Sequence, residues 1–157
     1  MIILALDLSL NGTGYAVLNI AKKDQINILE KGVILQHSAD DTGVRLLKIH
    51  NTIDELLKKY EINVCVREKG FTKFHKATQQ LFKVAGVAEM TCAIHGFELL
   101  ELAPISIKKY ITGNGKASKE EVKDKLYDFV GEQEYKTTDV SDAVAVGISY
   151  AIKEEIL

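Results

Sequence analysis

Residues 136–152 read KTTDVSDAVAVGISYAI, and this stretch limits the possible folds more than any other. Val140, Ala143, Val144, Ala145, Val146, Ile148, Ala151 and Ile152 spread around most of the circumference of a helix, leaving it little polar surface to show to water. Such a helix needs cover on several sides, which in a short chain means packing on a sheet with further helices beside it. Asp139 and Asp142 break the pattern at its head. Three residues apart, their carboxylates share one helix face and point the same way. A helix bound for the core therefore carries two parallel acids at its entrance.

The sheet that would receive it is legible upstream. Apolar and alternating runs predict strands at 2–8, 13–20, 25–36, 62–68 and 97–102. The first two are joined by SLNGTG, whose Asn11-Gly12 is a hairpin signal, and the third opens after the turn candidate AKKDQ. Helical spacing predicts helices at 40–60, with Val44, Leu47, Ile49, Ile53, Leu56 and Leu57 on its apolar side, and at 73–95. Shorter helices are expected at 104–111, opened by Pro104, and at 118–130, before the last one at 139–154. Three strands in a meander followed by alternating helices and strands give an α/β fold. We expect a mixed five-stranded sheet, with a three-strand antiparallel meander plus two parallel strands, and helices on both faces. At 157 residues, with 46% hydrophobic and 27% charged residues and no repeat or linker, the chain fits one domain spanning 1–157.

Several classes are disfavoured. Cys65 and Cys92 form no CxxC pair and have no histidine at ligand spacing, so neither zinc nor a disulfide framework is signalled. The opening MIILALDL lacks a basic leader and is too short to span a bilayer, so no membrane location is expected and a reducing cytoplasm is the plain reading.

The formal net charge of −2 argues against a polyanionic partner, but its distribution argues for one. Residues 69–87 contain no acid, while holding Lys69, Lys73, Lys76, Lys83 and His75 among Phe71, Phe74 and Phe82. A second acid-free window, 102–119, carries Lys108, Lys109, Lys116 and Lys119. Either window also suits an ordinary solvated face.

The acids fall in a pattern. In the first strand Ile3, Ala5 and Asp7 share a face; in the fourth, Ile62, Val64, Val66 and Glu68 do, with Cys65 and Arg67 opposite. Each inward stripe would thus end in a carboxylate. Taken singly, Asp139 suits a helix cap, Asp142 the helix dipole, Glu68 a pair with a neighbouring base and Asp7 the turn amides. Four converging carboxylates, however, repel one another unless a multivalent cation holds them. Hard oxygen donors from scattered positions suit Mg²⁺ or Mn²⁺ better than zinc.

With those residues in view, LDLSLNGTGYAVL and DVSDAVAVGISY, in this order and with an acid closing the fourth strand between them, resemble the RuvC-type Holliday junction resolvases of the ribonuclease H-like superfamily. The resemblance covers nearly the whole chain. It implies a ribonuclease H-like sheet and a homodimeric endonuclease that nicks four-way DNA junctions, and by extension forks and flaps, leaving 5′-phosphate and 3′-hydroxyl ends. It also implies that Asp7, Glu68, Asp139 and Asp142 hold two Mg²⁺ or Mn²⁺ ions, with Asp7 between them. Phe71 matches a base-stacking aromatic, with Phe74 competing for that role. Lys108 and Lys119 match basic residues near the cleaved strand, and Lys69, Lys73, Lys76 and Lys116 add to the expected DNA surface. Alternatives are a RuvC-like ribonuclease acting on structured RNA and a non-catalytic binder of branched DNA. The actin-like ATPases share the opening pattern but need two such domains, for which this chain is too short. One departure stands out: the family's usual Asp-Pro-Gly is Asp7-Leu8-Ser9 here, so a less constrained turn is expected, and a divergent phage source would fit it.

Overall fold

The computed structural model describes residues 1–22, 25–70 and 75–157. In chain order these form β1 (Ile2–Asp7), β2 (Gly12–Lys22), β3 (Gln25–Leu35), α1 (Thr42–Lys59), β4 (Val64–Glu68), α2 (His75–Ile94) and β5 (Leu99–Leu102). Then come α3 (Pro104–Thr112), α4 (Lys119–Lys125), α5 (Tyr127–Val130) and α6 (Thr138–Lys153). The sheet order is β3-β2-β1-β4-β5. β1, β2 and β3 pair antiparallel, while β4 runs parallel to both β1 and β5, as the pattern predicts. The turn expected at AKKDQ includes residues 23 and 24, outside the described residues.

Alternation along the central strands divides the core into two layers. Ile3, Ala5, Ala16, Leu18 and Val66 face α6, α3 and α4 and bury against Ala143, Val144, Ile148 and Ile107. Leu4, Leu6, Val17 and Cys65 face the other way, onto Ile49, Ile53 and Leu56 of α1 and Val84, Ala88 and Cys92 of α2. Each fully buried Leu, Ile or Val contributes roughly 1.5–3 kcal/mol of burial free energy, so both layers hold the central strands firmly.

Three expectations need correction. Ile62 does not continue the stripe of Val64 and Val66; β4 begins at Val64, and Ile62, whose N–H turns back to the Tyr60 carbonyl at 2.8 Å, packs in the opposite layer. Val44 and Leu47 of α1 are exposed, because Leu47 lies two residues, about 200° of helix, from Ile49. The helix expected over 118–130 is two helices, α4 and α5, meeting where Leu126 is drawn into the core.

Candidate active site

Asp7 ends β1 and Glu68 ends β4. Because the strands are parallel neighbours with Leu6 opposite Arg67, the two acids stand side by side at one end of the sheet, on the face turned to α6. Asp139 and Asp142 come from the head of α6. The helix cap is Thr137, not Asp139, which leaves the Asp139 carboxylate for other work.

Two glycines let α6 approach the sheet. A Cβ on Gly14, the residue paired with Asp7, would lie 2.1 Å from the main-chain oxygen of Asp139. One on Gly147 would lie 2.5 Å from Leu18 Cδ1. A side chain at Gly14 would force the head of the helix, and its acids, away from Asp7 and Glu68.

The electrostatics record how close the acids are. Burial, then the carboxylates of Asp142 and Glu68, push the Asp7 carboxyl up to about 7; the Lys119 ammonium opposes them and Asp139 adds a little more. Glu68 is raised chiefly by burial, against the pull of Lys119. Burial disfavours the charge on Lys119, but its carboxylate neighbours outweigh that and raise its pKa overall. Lys119 Nζ donates to Asp142 Oδ2 at 2.5 Å, and among the described residues no ion pair engages Asp7, Glu68 or Asp139.

A capping box between Ser118 and Glu121 starts α4 and sets Lys119 at its first position. Lys119 and Lys108 meet Glu68 and Asp142 around a cleft of about 140 Å³, whose apolar floor is Pro104, Ile107, Val122 and Ala145. The other expected basic residues lie elsewhere. Lys69 Nζ is 3.8 Å from Glu101, away from the acids, and Lys76 and Lys116 are exposed without lining the cleft. Phe71, Lys73 and Phe74 lie outside the described residues.

The donor set, four carboxylates without a sulfur or imidazole, fits a hard divalent cation. Among the described residues no three His, Cys, Asp or Glu side chains are closed into a ready-made cage. The acids face one another but stand apart, as like charges should when only Lys119 and Lys108 lie near to offset them; a cation would draw them together.

The turn after Asp7 is not the loose one expected. Ser9 N–H donates to Thr13 Oγ1 at 3.1 Å, and the Thr13 hydroxyl, wholly buried, donates back to the Ser9 carbonyl at 2.6 Å. Arg45 also reaches this turn, donating to Asn11 Oδ1 at 2.6 Å. Periodicity carries no signal for that contact.

Adjacent parallel strands ending in acids, facing two more acids on a core helix within a mixed five-stranded sheet, give a ribonuclease H-like fold as the class. The chain belongs to the RuvC family: the sequence model described as "Crossover junction endodeoxyribonuclease RuvC" matches residues 3–150. Relatives bearing that description include proteins of Ehrlichia chaffeensis, 32% identical over 99% of both chains, and Ehrlichia canis, 34% identical over 96% of both. Another, from Brachyspira hyodysenteriae, is 33% identical over 99% of this chain and 97% of its own. These bacterial relatives give no support to a phage source. Among solved structures, Thermus thermophilus RuvC in complex with a Holliday junction substrate superimposes with a TM-score of 0.91 at 19% identity, covering 98% of this chain and 94% of that one. The yeast mitochondrial resolvase Ydc2 gives 0.64 at 13% identity, over 94% and 76%. Both show the same fold. The family implies a divalent-metal-dependent endodeoxyribonuclease. No described helix is long and apolar enough to cross a membrane.

Proposed function

We propose that this chain, acting as one nuclease unit over residues 1–157, nicks Holliday junctions and related branched DNA in the cytoplasm, leaving 5′-phosphate and 3′-hydroxyl ends. The observation that carries this reading is the gathering of Asp7, Glu68, Asp139 and Asp142 from three core elements, three of them with no ion pair among the described residues. Carboxylates left unpaired at such a cost in repulsion are suited to a cation.

Asp7, central to the group, would touch two Mg²⁺ or Mn²⁺ ions, with Glu68 and Asp139 completing one shell and Asp142 the other. Bound there, the ions supply an activated water and a counter-charge for the leaving 3′ oxygen. Lys119 would leave Asp142 for the scissile phosphate, and Lys108 across the cleft would hold the same strand. Lys69, Lys76 and Lys116, with Phe71, Lys73 and Phe74, would contact DNA beyond the cleft.

A homodimer places two such sites on opposing strands. The outer face of α2 supports it: Phe82, Met90 and Ile94 are exposed in line, with Gly86 open between them. Met90→Glu should convert the dimer to monomer in sedimentation. The catalytic reading is tested by nicking of a labelled four-way junction in Mg²⁺. The parent should cut and Asp7→Asn should bind without cutting; parent-rate cutting by Asp7→Asn would overturn the metal site.

A further inference from the structure

Arg45 lies in the first turns of α1, 38 positions along the chain from Asp7, yet its side chain serves the turn that follows that acid. Its Nη1 donates to Asn11 Oδ1 at 2.6 Å, its Nε to the Asp40 carbonyl at 3.1 Å, and its Nη2 to the carbonyls of His37 and Ser38 at 3.2 and 3.4 Å. The main-chain oxygen of Arg45 accepts from Gln36 Nε2 at 3.3 Å. One residue therefore stitches the apex of the β1–β2 turn to the loop between β3 and α1.

Every acceptor of this guanidinium is a neutral oxygen. Among the described residues no carboxylate pairs with it, and the Asp40 carboxylate is taken by Lys48. Arg45 works here as a planar fork of donors, not as a counter-ion, which is a job lysine cannot do.

The turn it holds is a short link between two acids. It begins at Leu8, directly after Asp7, and ends at Gly12, where a Cβ would stand 3.5 Å from Asp139 Oδ2. Across its base Ser9 and Thr13 bond each other both ways, and within it Asn11 N–H reaches Ser9 Oγ at 3.3 Å. Leu8-Ser9 contains no ring to fix the backbone, so the turn's orientation depends on these bonds and on Arg45.

We propose that Arg45 is a positioning residue for the acid site: by gripping Asn11 it fixes the β1–β2 turn and, through it, how Asp7 stands to Asp139. The rate arm of its test rests on the nuclease reading above; the metal arm does not.

The test compares the parent with Arg45→Met, Arg45→Lys, Asn11→Ala and the double variant Arg45→Met/Asn11→Ala. Three quantities are read: Mn²⁺ affinity by calorimetry without DNA, junction affinity in EDTA, and single-turnover nicking at saturating protein. Outer-shell contacts typically change metal affinity or rate by about 10–100-fold. Arg45→Met should weaken Mn²⁺ binding and slow nicking by about tenfold or more on that scale, with junction affinity unchanged. Arg45→Lys should not rescue either loss, and the double variant should be no worse than Arg45→Met, since Arg45→Met already removes the contact that Asn11→Ala removes. Parent-level Mn²⁺ affinity in Arg45→Met, full rescue by lysine, or additive losses in the double variant would each overturn the proposal. If Arg45→Met does not fold, Asn11→Ala removes the same contact and decides. If the parent cuts no junction, the nuclease reading fails and Mn²⁺ affinity alone decides the role of Arg45.

Discussion

Arg67 and Glu68 are neighbours on β4, project to opposite faces and have opposite fates. Arg67 is buried, yet donates to Glu101 across β5 at 2.5 Å and to Glu89 of α2 at 3.3 Å. Glu68 is less buried but has no ion-pair partner among the described residues, only other acids and two lysines across a cleft. On one face a charge is paired within the chain and ties sheet to helix. On the other, charges are gathered and left unsatisfied. The contrast separates a structural ion network from a site awaiting a ligand.

The sharpest way to break that contrast is Glu68→Gln. If Glu68 serves a cation, its loss removes several kcal/mol of transition-state stabilisation, about a thousandfold in nicking rate, while metal-free stability holds or rises. A lower melting temperature in EDTA would place Glu68 with Arg67 as a structural residue. Arg67→Met should do the reverse, costing about 3 kcal/mol in urea unfolding, the low end for a broken buried pair because both glutamates reach solvent. The folded fraction should still bind Mn²⁺ like the parent.

Proton linkage sharpens the comparison further. The Asp7 carboxyl is raised to about 7 in the fold, from an ordinary value of 3.8. An acid raised on folding favours the folded state while protonated, so the metal-free protein should lose stability as pH climbs from about 4 through 7. Melting curves in EDTA should show a loss on the order of a few kcal/mol between pH 5 and 8, flattened in Asp7→Asn and by saturating Mg²⁺. Gly14→Ala comes next. Its methyl would displace the head of α6, costing about 1–3 kcal/mol and slowing nicking. The smallest effect is Lys125→Ala, which removes an exposed pair with Asp128 and should shift stability by less than about 0.5 kcal/mol.

Much of the site was legible because it lies on short-range patterns. Alternation along 2–8 and 62–68 put Asp7 and Glu68 at the ends of inward stripes, and helical spacing put Asp139 and Asp142 on one face. Ile62 was misplaced because alternation holds only within a strand, and the chain turns at Tyr60 just before it. Arg45 was missed for a different reason. Its contact with Asn11 spans 34 residues and joins two loops, where no period operates. The loose turn expected after Asp7 had the same cause: Leu8-Ser9 looks unconstrained locally, and the constraint arrives from α1. Gly14 and Gly147 were present in the quoted motifs, but only the packed structure shows that α6 occupies the space their side chains would need.

β1 and β4 lie inside the sheet, each hydrogen-bonded on both sides, so Asp7 and Glu68 sit at the ends of strands with no free edge. Their amides belong to the part of a protein that exchanges with solvent hydrogen only when the whole molecule opens. Slow exchange should therefore persist in both strands until global unfolding, and the two acids should lose their alignment at the melting transition rather than before it.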